Sequence, residues 1–219
     1  MELSARLNLV EQRILQAARN AGRERSSITL IAVTKKFPAS IIREAYALGL
    51  RHFGENYVQE FEDKYEAVKD LAGARFHLIG HLQSNKSRVA SEIFHVIETV
   101  DSEKLARRLD TAPLEVMIEV KLSEEHSKAG CAPEDLPALV RAIRSSTHLN
   151  LTGLMTMPPW DADPEHTRPY FRKLAMMAAQ HGLRNLSMGM SHDLEAAIEE
   201  GATHIRVGTA LFGPRPKVQ

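Results

Sequence analysis

The chain has a single cysteine, Cys131, in 219 residues. No intrachain disulfide can form, which fits a reducing compartment. Surplus charge is also missing: 28 lysines and arginines balance 28 aspartates and glutamates. Broad binding to nucleic acid or to an anionic membrane needs a basic excess or a concentrated basic patch. Here Lys86, Arg88, Arg107 and Arg108 are scattered and read as solvated helix faces. No stretch approaches the ~20 apolar residues of a membrane span. The opening Met1-Glu2-Leu3-Ser4-Ala5-Arg6-Leu7 is amphipathic and lacks the apolar run of a secretory signal. These absences describe a soluble, cytoplasmic protein without nucleic-acid or membrane partners. Metal-ligand patterns are lacking too. Among ten histidines there is no His-Glu-x-x-His, and there is no cysteine pair. His77 and His81 are four apart, but on a strand and its loop. Asp161-Ala162-Asp163-Pro164-Glu165 lacks the glycine of a calcium loop and suits a helix start. No metal site is expected, and Cys131 is assigned no role.

What is present is an alternation of short apolar runs with helical stretches, in a chain that is 43% hydrophobic. Strands are expected at 28–34, 51–53, 75–80, 95–100, 114–121, 149–154, 184–188 and 203–207. Helices are expected at 3–21, 39–48, 57–71, 85–93, 102–110, 133–145, 165–182 and 191–200. Gly49, Gly182 and Gly201 stand where helices close. The strands are continuous apolar runs, such as Leu114 to Val120, as suits parallel strands covered by helices. Eight such units give a single (β/α)8 TIM barrel over residues 1–219. An open doubly wound sheet uses the same alternation and is the competing architecture. After the eighth strand only Leu211 to Gln219 follow, with Pro214 and Pro216 among them. The additional N-terminal helix, with Leu3, Leu7, Val10, Ile14 and Ala18 on one face, is therefore expected to cover that side. The methionines Met155, Met157, Met176, Met177, Met188 and Met190 read mostly as core filler.

In a barrel, function gathers where strands end and βα loops begin. Lys35 and Lys36 follow strand one, Gly54-Glu55-Asn56 strand two, Ser187 to Ser191 strand seven, and Gly208-Thr209 strand eight. A desolvated lysine amine can attack an aldehyde. A Gly-Thr turn after strand eight lies where this fold recurrently holds phosphate. Pyridoxal 5′-phosphate (PLP) carries both groups. Parity puts Lys35 with Ile31 and Val33, and Lys36 with Ala32 and Thr34, without saying which set faces inward. Ser191 also stands where a helix N-cap is wanted.

Val33-Thr34-Lys35, the run Phe53 to Glu60, the run His77 to Lys86, Ser127-Lys128-Ala129-Gly130, Gly153 to Met157, Leu186 to Ser191 and Ile205 to Gly213 come in one order along the chain. In that order the chain resembles the pyridoxal phosphate homeostasis protein family, whose barrel is similar to the alanine racemase N-terminal domain. The resemblance implies PLP held as an internal aldimine on Lys35. It implies Arg206 facing the pyridine nitrogen and Asn56 beside the ring. Ser191, Gly208 and Thr209 would hold the phosphate, with Ser187 as a further contact. It also implies a role in intracellular PLP homeostasis without dedicated turnover, with PLP-dependent apoenzymes as acceptors and a monomer or weak dimer. The alternative is a PLP-dependent amino-acid racemase or lyase.

Overall fold

A computed structural model describes residues 1–123 and 129–214. Ser127 and Lys128 of the Ser-Lys-Ala-Gly block, and Pro216, lie outside the described residues. Eight strands form: β1 Thr29–Val33, β2 His52–Glu55, β3 Arg75–Leu78, β4 Val96–Val100, β5 Leu114–Glu119, β6 Leu149–Met155, β7 Asn185–Met190 and β8 His204–Val207. Each pairs in parallel with the next, and β8 returns to β1, so the barrel closes. The open-sheet alternative is thereby excluded. The helices are α1 Leu3–Asn20, α2 Ala39–Ala47, α3 Val58–Tyr65, α4 Ser87–Ile93, α5 Glu103–Leu109, α6 Leu136–Arg144, α7 Arg168–Gln180, α8 Leu194–Glu199 and α9 Thr209–Phe212.

The core has two layers. Leu30, Ala32, Phe53 and Ile205 point outward and join the shell under the helices. Ile31 points inward, where a Cβ on Gly54 would stand 2.9 Å from its Cγ2. This answers the parity question left open by sequence: the set containing Ile31, Val33 and Lys35 faces the barrel axis.

α9 has only four residues, and α1 packs on α8 and α9 to cover the gap. Leu3, Leu7, Val10, Ile14, Ala17 and Ala18 form its buried face. Arg13 clamps it to α8 with two hydrogen bonds to Glu195, at 2.6 and 2.8 Å. α3 is shorter than its apolar pattern predicts. Beyond Tyr65 the chain tightens into three-residue turns, with Ala67 N–H donating to Lys64 O and Val68 N–H to Tyr65 O. No helix among the described residues is long and apolar enough to cross a membrane.

Candidate functional site

At the C-terminal mouth of the barrel lies a cavity of about 300 Å³. Lys35, Asn56, Ser191, Arg206, Gly208 and Thr209 all line it, together with Val33, Phe37, Ile79, Met157, Met190 and Trp160. Six of the seven residues expected from sequence thus meet in one place. They come from the ends of β1, β2, β7 and β8.

The Lys35 side rests on a polar cluster just outside the barrel wall. Thr34 Oγ1 donates to Glu55 Oε1 at 2.8 Å. Lys64 Nζ, from α3, donates to Thr34 O (3.2 Å), Glu55 Oε1 (2.9 Å) and Glu60 Oε1 (2.6 Å). Glu60 Oε1 also accepts from the backbone N–H of Lys36. Lys36 sits at φ 64°, a left-handed conformation uncommon for a side-chain-bearing residue. The cluster therefore grips the chain on both sides of Lys35. Burial raises the Glu55 carboxyl above its ordinary range, against the pull of Lys64. Its Oε2 has no hydrogen-bond partner among the described residues.

Asn56 follows directly. The loop after β3 crosses it so closely that a Cβ on Gly80 would run into Asn56 O. That crossing requires glycine. Asn56 Oδ1 is buried and has no partner among the described residues, so a polar group of a ligand in the cavity can satisfy it.

The Arg206 side rests on a chain inside the barrel. Arg206 is 3% exposed. It donates to Ser187 Oγ at 2.7 Å and to Thr156 O at 2.9 Å. Ser187 in turn donates to Glu98 Oε2 at 2.5 Å, and Glu98 Oε1 lies 2.8 Å from His77 Nδ1. His77 Nε2 meets His52 Nδ1 at 2.9 Å. Burial alone would raise the Glu98 pKa. The hydrogen bond from His77 and the charges of His77 and Arg206 overturn this and hold it at about 2. Burial pulls Arg206 below its ordinary value, opposed by Glu98. An arginine retains its proton regardless.

Ser187 is thus placed differently from the phosphate contact expected of it. Its hydroxyl is committed to Glu98 and Arg206 at the barrel interior, and it does not line the cavity. Ser191 also departs from one expectation. Asp193, not Ser191, stands at the N-cap of α8. Ser191 Oγ instead accepts from Ala210 N–H in the first turn of α9, at 3.3 Å. Its backbone carbonyl accepts from Arg13 at 3.0 Å, so α1 steadies this loop. The methionines divide: Met155 and Met188 are core, Met157 and Met190 line the cavity, and Met176 is exposed. Asp163 accepts from Glu165 N–H at 3.0 Å, as the acidic helix start suggested. Sequence reading missed Glu98, His77, Glu60 and Lys64. It also missed Trp160, which is 74% exposed at the cavity and stacks on His192.

A closed parallel barrel with a lysine at the end of β1 and a buried arginine on β8 matches a known class. The family model for the alanine racemase N-terminal domain covers residues 7–216. Alanine racemase of Corynebacterium glutamicum shares the fold, with a TM-score of 0.68 at 17% identity over 97% of this chain and 63% of that one. The chain is 47% identical to a pyridoxal phosphate homeostasis protein of Pseudomonas aeruginosa, covering 94% of this chain and 93% of the relative. It is 41% identical to that of Escherichia coli, over 98% and 97%. PipY of Synechococcus elongatus, solved with PLP bound, superposes with a TM-score of 0.84 at 40% identity, over 97% of this chain and all of that one. The chain belongs to the pyridoxal phosphate homeostasis protein family, within the alanine racemase N-terminal domain group.

Proposed function

We propose that this protein binds PLP covalently through Lys35 and serves intracellular PLP homeostasis in the cytoplasm, without dedicated catalytic turnover. The observation that carries the reading is the single cavity lined by Lys35, Asn56, Ser191, Arg206, Gly208 and Thr209. The relatives' name and the PLP-bound PipY structure support it.

In this reading the Lys35 amine would condense with the PLP aldehyde, its oxygen leaving as water, to give an internal aldimine. Gly208, Thr209 and Ser191 hold the phosphate where α9 begins, the recurrent phosphate position of this fold. Asn56 lies beside the ring, and its orphaned Oδ1 fits a polar ring substituent. Ser187 acts through Arg206 instead of touching the phosphate. When bound, PLP supplies an electron sink whose strength depends on protonation of its pyridine nitrogen. Arg206 offers only donors and no acceptor. It therefore stabilises an unprotonated ring nitrogen, which favours holding the cofactor over turnover. PLP-dependent apoenzymes are the proposed acceptors, and a monomer or weak dimer suffices for such a role.

Borohydride reduction followed by peptide mapping tests the site. The pyridoxyl group is expected on Lys35 and absent in Lys35→Ala. Label on Lys36 would overturn the assignment. Incubation with L- and D-amino acids in deuterated water tests the role. Cα exchange or racemisation at or above ~1 per second, the low end of ordinary enzymes, would establish the racemase or lyase alternative.

A further inference from the structure

We propose that a second compartment beside the Lys35 cavity binds small primary-ammonium compounds, with Glu119 and Asp101 receiving the ammonium group. This goes beyond the cofactor proposal and concerns a different set of side chains. The compartment has a volume of about 610 Å³ and shares two walls, Ile79 and Met157, with the first cavity. Among the described residues Glu119, Asp101, His81 and Lys121 supply its charges.

Glu119 is the decisive residue. It ends β5 on the inward-facing side and is 6% exposed, yet it lines the compartment. Its carboxylate has no hydrogen-bond partner among the described residues. Glu98, one strand away, has two donors on its two oxygens. The Glu119 oxygens open onto the compartment, so their donors must come from there, from water or from a ligand. The backbone around it is fixed. Cys131 N–H donates to Glu119 O at 2.7 Å, and Lys121 N–H donates to Cys131 O at 2.9 Å.

The surrounding groups select the ligand. Among the described residues no group of three ligating side chains could hold a metal ion. Asp101, at the end of β4, adds a second acid. His81 Nδ1, on the loop after β3, lies 3.6 Å from Asp101, with its side chain 55% exposed. Lys121 follows Glu119 on the same face. Arg206, on β8, is a further cation acting on Glu119, and its donors go to Ser187 and Thr156. Met155 at the end of β6, and Thr156 and Met157 just after it, carry no charge. Among the described residues the innermost groups, Glu119 and Asp101, are acidic, while Ile79, Val120, Leu122 and Met157 offer an aliphatic wall. An ammonium group on a short carbon chain matches both.

Proton linkage gives the proposal a signature. Burial, with Asp101 adding to it and Arg206 opposing, pushes the Glu119 carboxyl up to about 7. An ammonium ligand favours the ionised form, so binding near neutrality releases a proton. Affinity should rise between about pH 6 and about pH 8.

Titration calorimetry with n-butylamine and 1,4-diaminobutane tests this, with butyrate as the anionic control. Borohydride-treated protein and Lys35→Ala are both used, so that chemistry at Lys35 is not read as binding. Saturable binding is expected in both, with a heat that varies between buffers of different ionisation enthalpy. Glu119→Gln should weaken it about tenfold or more, the worth of one charged hydrogen bond. Asp101→Asn should weaken it less. Absence of saturable amine binding, unchanged affinity in Glu119→Gln, or preference for butyrate would overturn the proposal. If Glu119→Gln fails to fold, the wild-type protein still decides: amine binding without proton release near neutral pH also overturns it. Failure of the Lys35 assignment, by contrast, is read from peptide mapping alone.

Discussion

The two ends of the cofactor cavity stand on different foundations. Under Arg206, inside the barrel, Glu98 accepts from Ser187, pairs with His77 and faces a permanent cation. Under Lys35, outside the barrel wall, Glu55 shares Lys64 with Glu60 and keeps one oxygen without a partner. Both carboxyl groups are fully buried. Their pKa values nevertheless move in opposite directions, down to about 2 for Glu98 and upward for Glu55. Burial penalises charge in both places, and the number and kind of donors decides the outcome. The Arg206 end is built around a fixed negative charge. The Lys35 end tolerates a carboxyl that can be neutral.

The largest effect should come from Glu98→Ala. It leaves Arg206 buried with only Asp193 and Glu119 as counter-charges, a change expected toward the lower end of the about 3–5 kcal/mol that breaking a buried pair costs. Urea unfolding of the cofactor-free protein measures it. A cost below about 1 kcal/mol would erase the distinction between the two ends. Acid unfolding sharpens it. Glu98 has a depressed pKa, so its stabilisation is present above its ordinary value of 4.5 and is lost as pH falls toward about 2. His52 and His204 are held neutral, mainly by burial, to about 3 and about 4. The unfolded chain binds those two protons from about pH 6.5 downward. Stability should therefore begin to fall below about pH 6.5 and fall more steeply below about 4.5. In Glu98→Gln the steeper part should shrink to the share of the more exposed carboxylates that are also held low, such as Asp110 and Glu200.

Thr209→Ala probes the mouth instead of either foundation. If its hydroxyl donates to the phosphate, its loss removes one charged hydrogen bond, worth ~1.5–3 kcal/mol, or roughly a tenfold to hundredfold loss of PLP affinity. Thr209 is exposed, so urea stability should stay within about 0.5 kcal/mol. Equal PLP affinity in wild type and variant would move the phosphate elsewhere.

Legibility of the site in the sequence followed the same division. Lys35, Asn56, Ser191, Gly208 and Thr209 stand at strand ends beside turn residues, where the fold advertises its functional loops. Arg206, inside an apolar run, came only from the family resemblance. Glu98 and His77 lie within strands, and the hydrogen bond from Ser187 to Glu98 joins residues 89 positions apart. No local pattern encodes such a partner, so Ser187 was read as a loop hydroxyl. Lys64 went unnoticed because one of its two nearer carboxylates, Glu55, comes from another element, β2. The eight strands and their order were legible because each is a short apolar run bounded by helices. The end of α3 was not, because its apolar pattern continues through the buried Val68 while the backbone leaves the α conformation.

Gly80→Ala tests how the Asn56 side of the cavity is placed. The added methyl would collide with backbone, not with a flexible side chain, so the β3 loop or Asn56 must shift. Overpacking of this kind costs about 1–3 kcal/mol. PLP affinity should fall along with stability, since the displaced residue lines the cavity. Affinity preserved at wild-type level would remove Asn56 from the cofactor site.

The smallest effect should come from Glu55→Gln, the counterpart of Glu98→Gln at the Lys35 end. Glutamine keeps an acceptor for Thr34 Oγ1 and Lys64, and Lys64 retains Glu60 as its counter-charge. The lost charge is one that burial already disfavours. The exchange of one hydrogen-bonded group for a neutral one should therefore change stability by no more than about 1 kcal/mol. The pH dependence carries a distinct sign. An acid whose folded pKa is raised binds its proton more readily when folded, so its contribution weakens as pH rises from the unfolded value through the raised one. Glu55→Gln should remove that decline and leave the acid limb owed to Glu98, His52 and His204 untouched. Urea midpoints of wild type and variant, taken across the mildly acidic range, read both features at once. A cost matching that of Glu98→Gln would mean that Glu55 is as firmly ionised as Glu98, and the two ends of the cavity would then rest on the same kind of support.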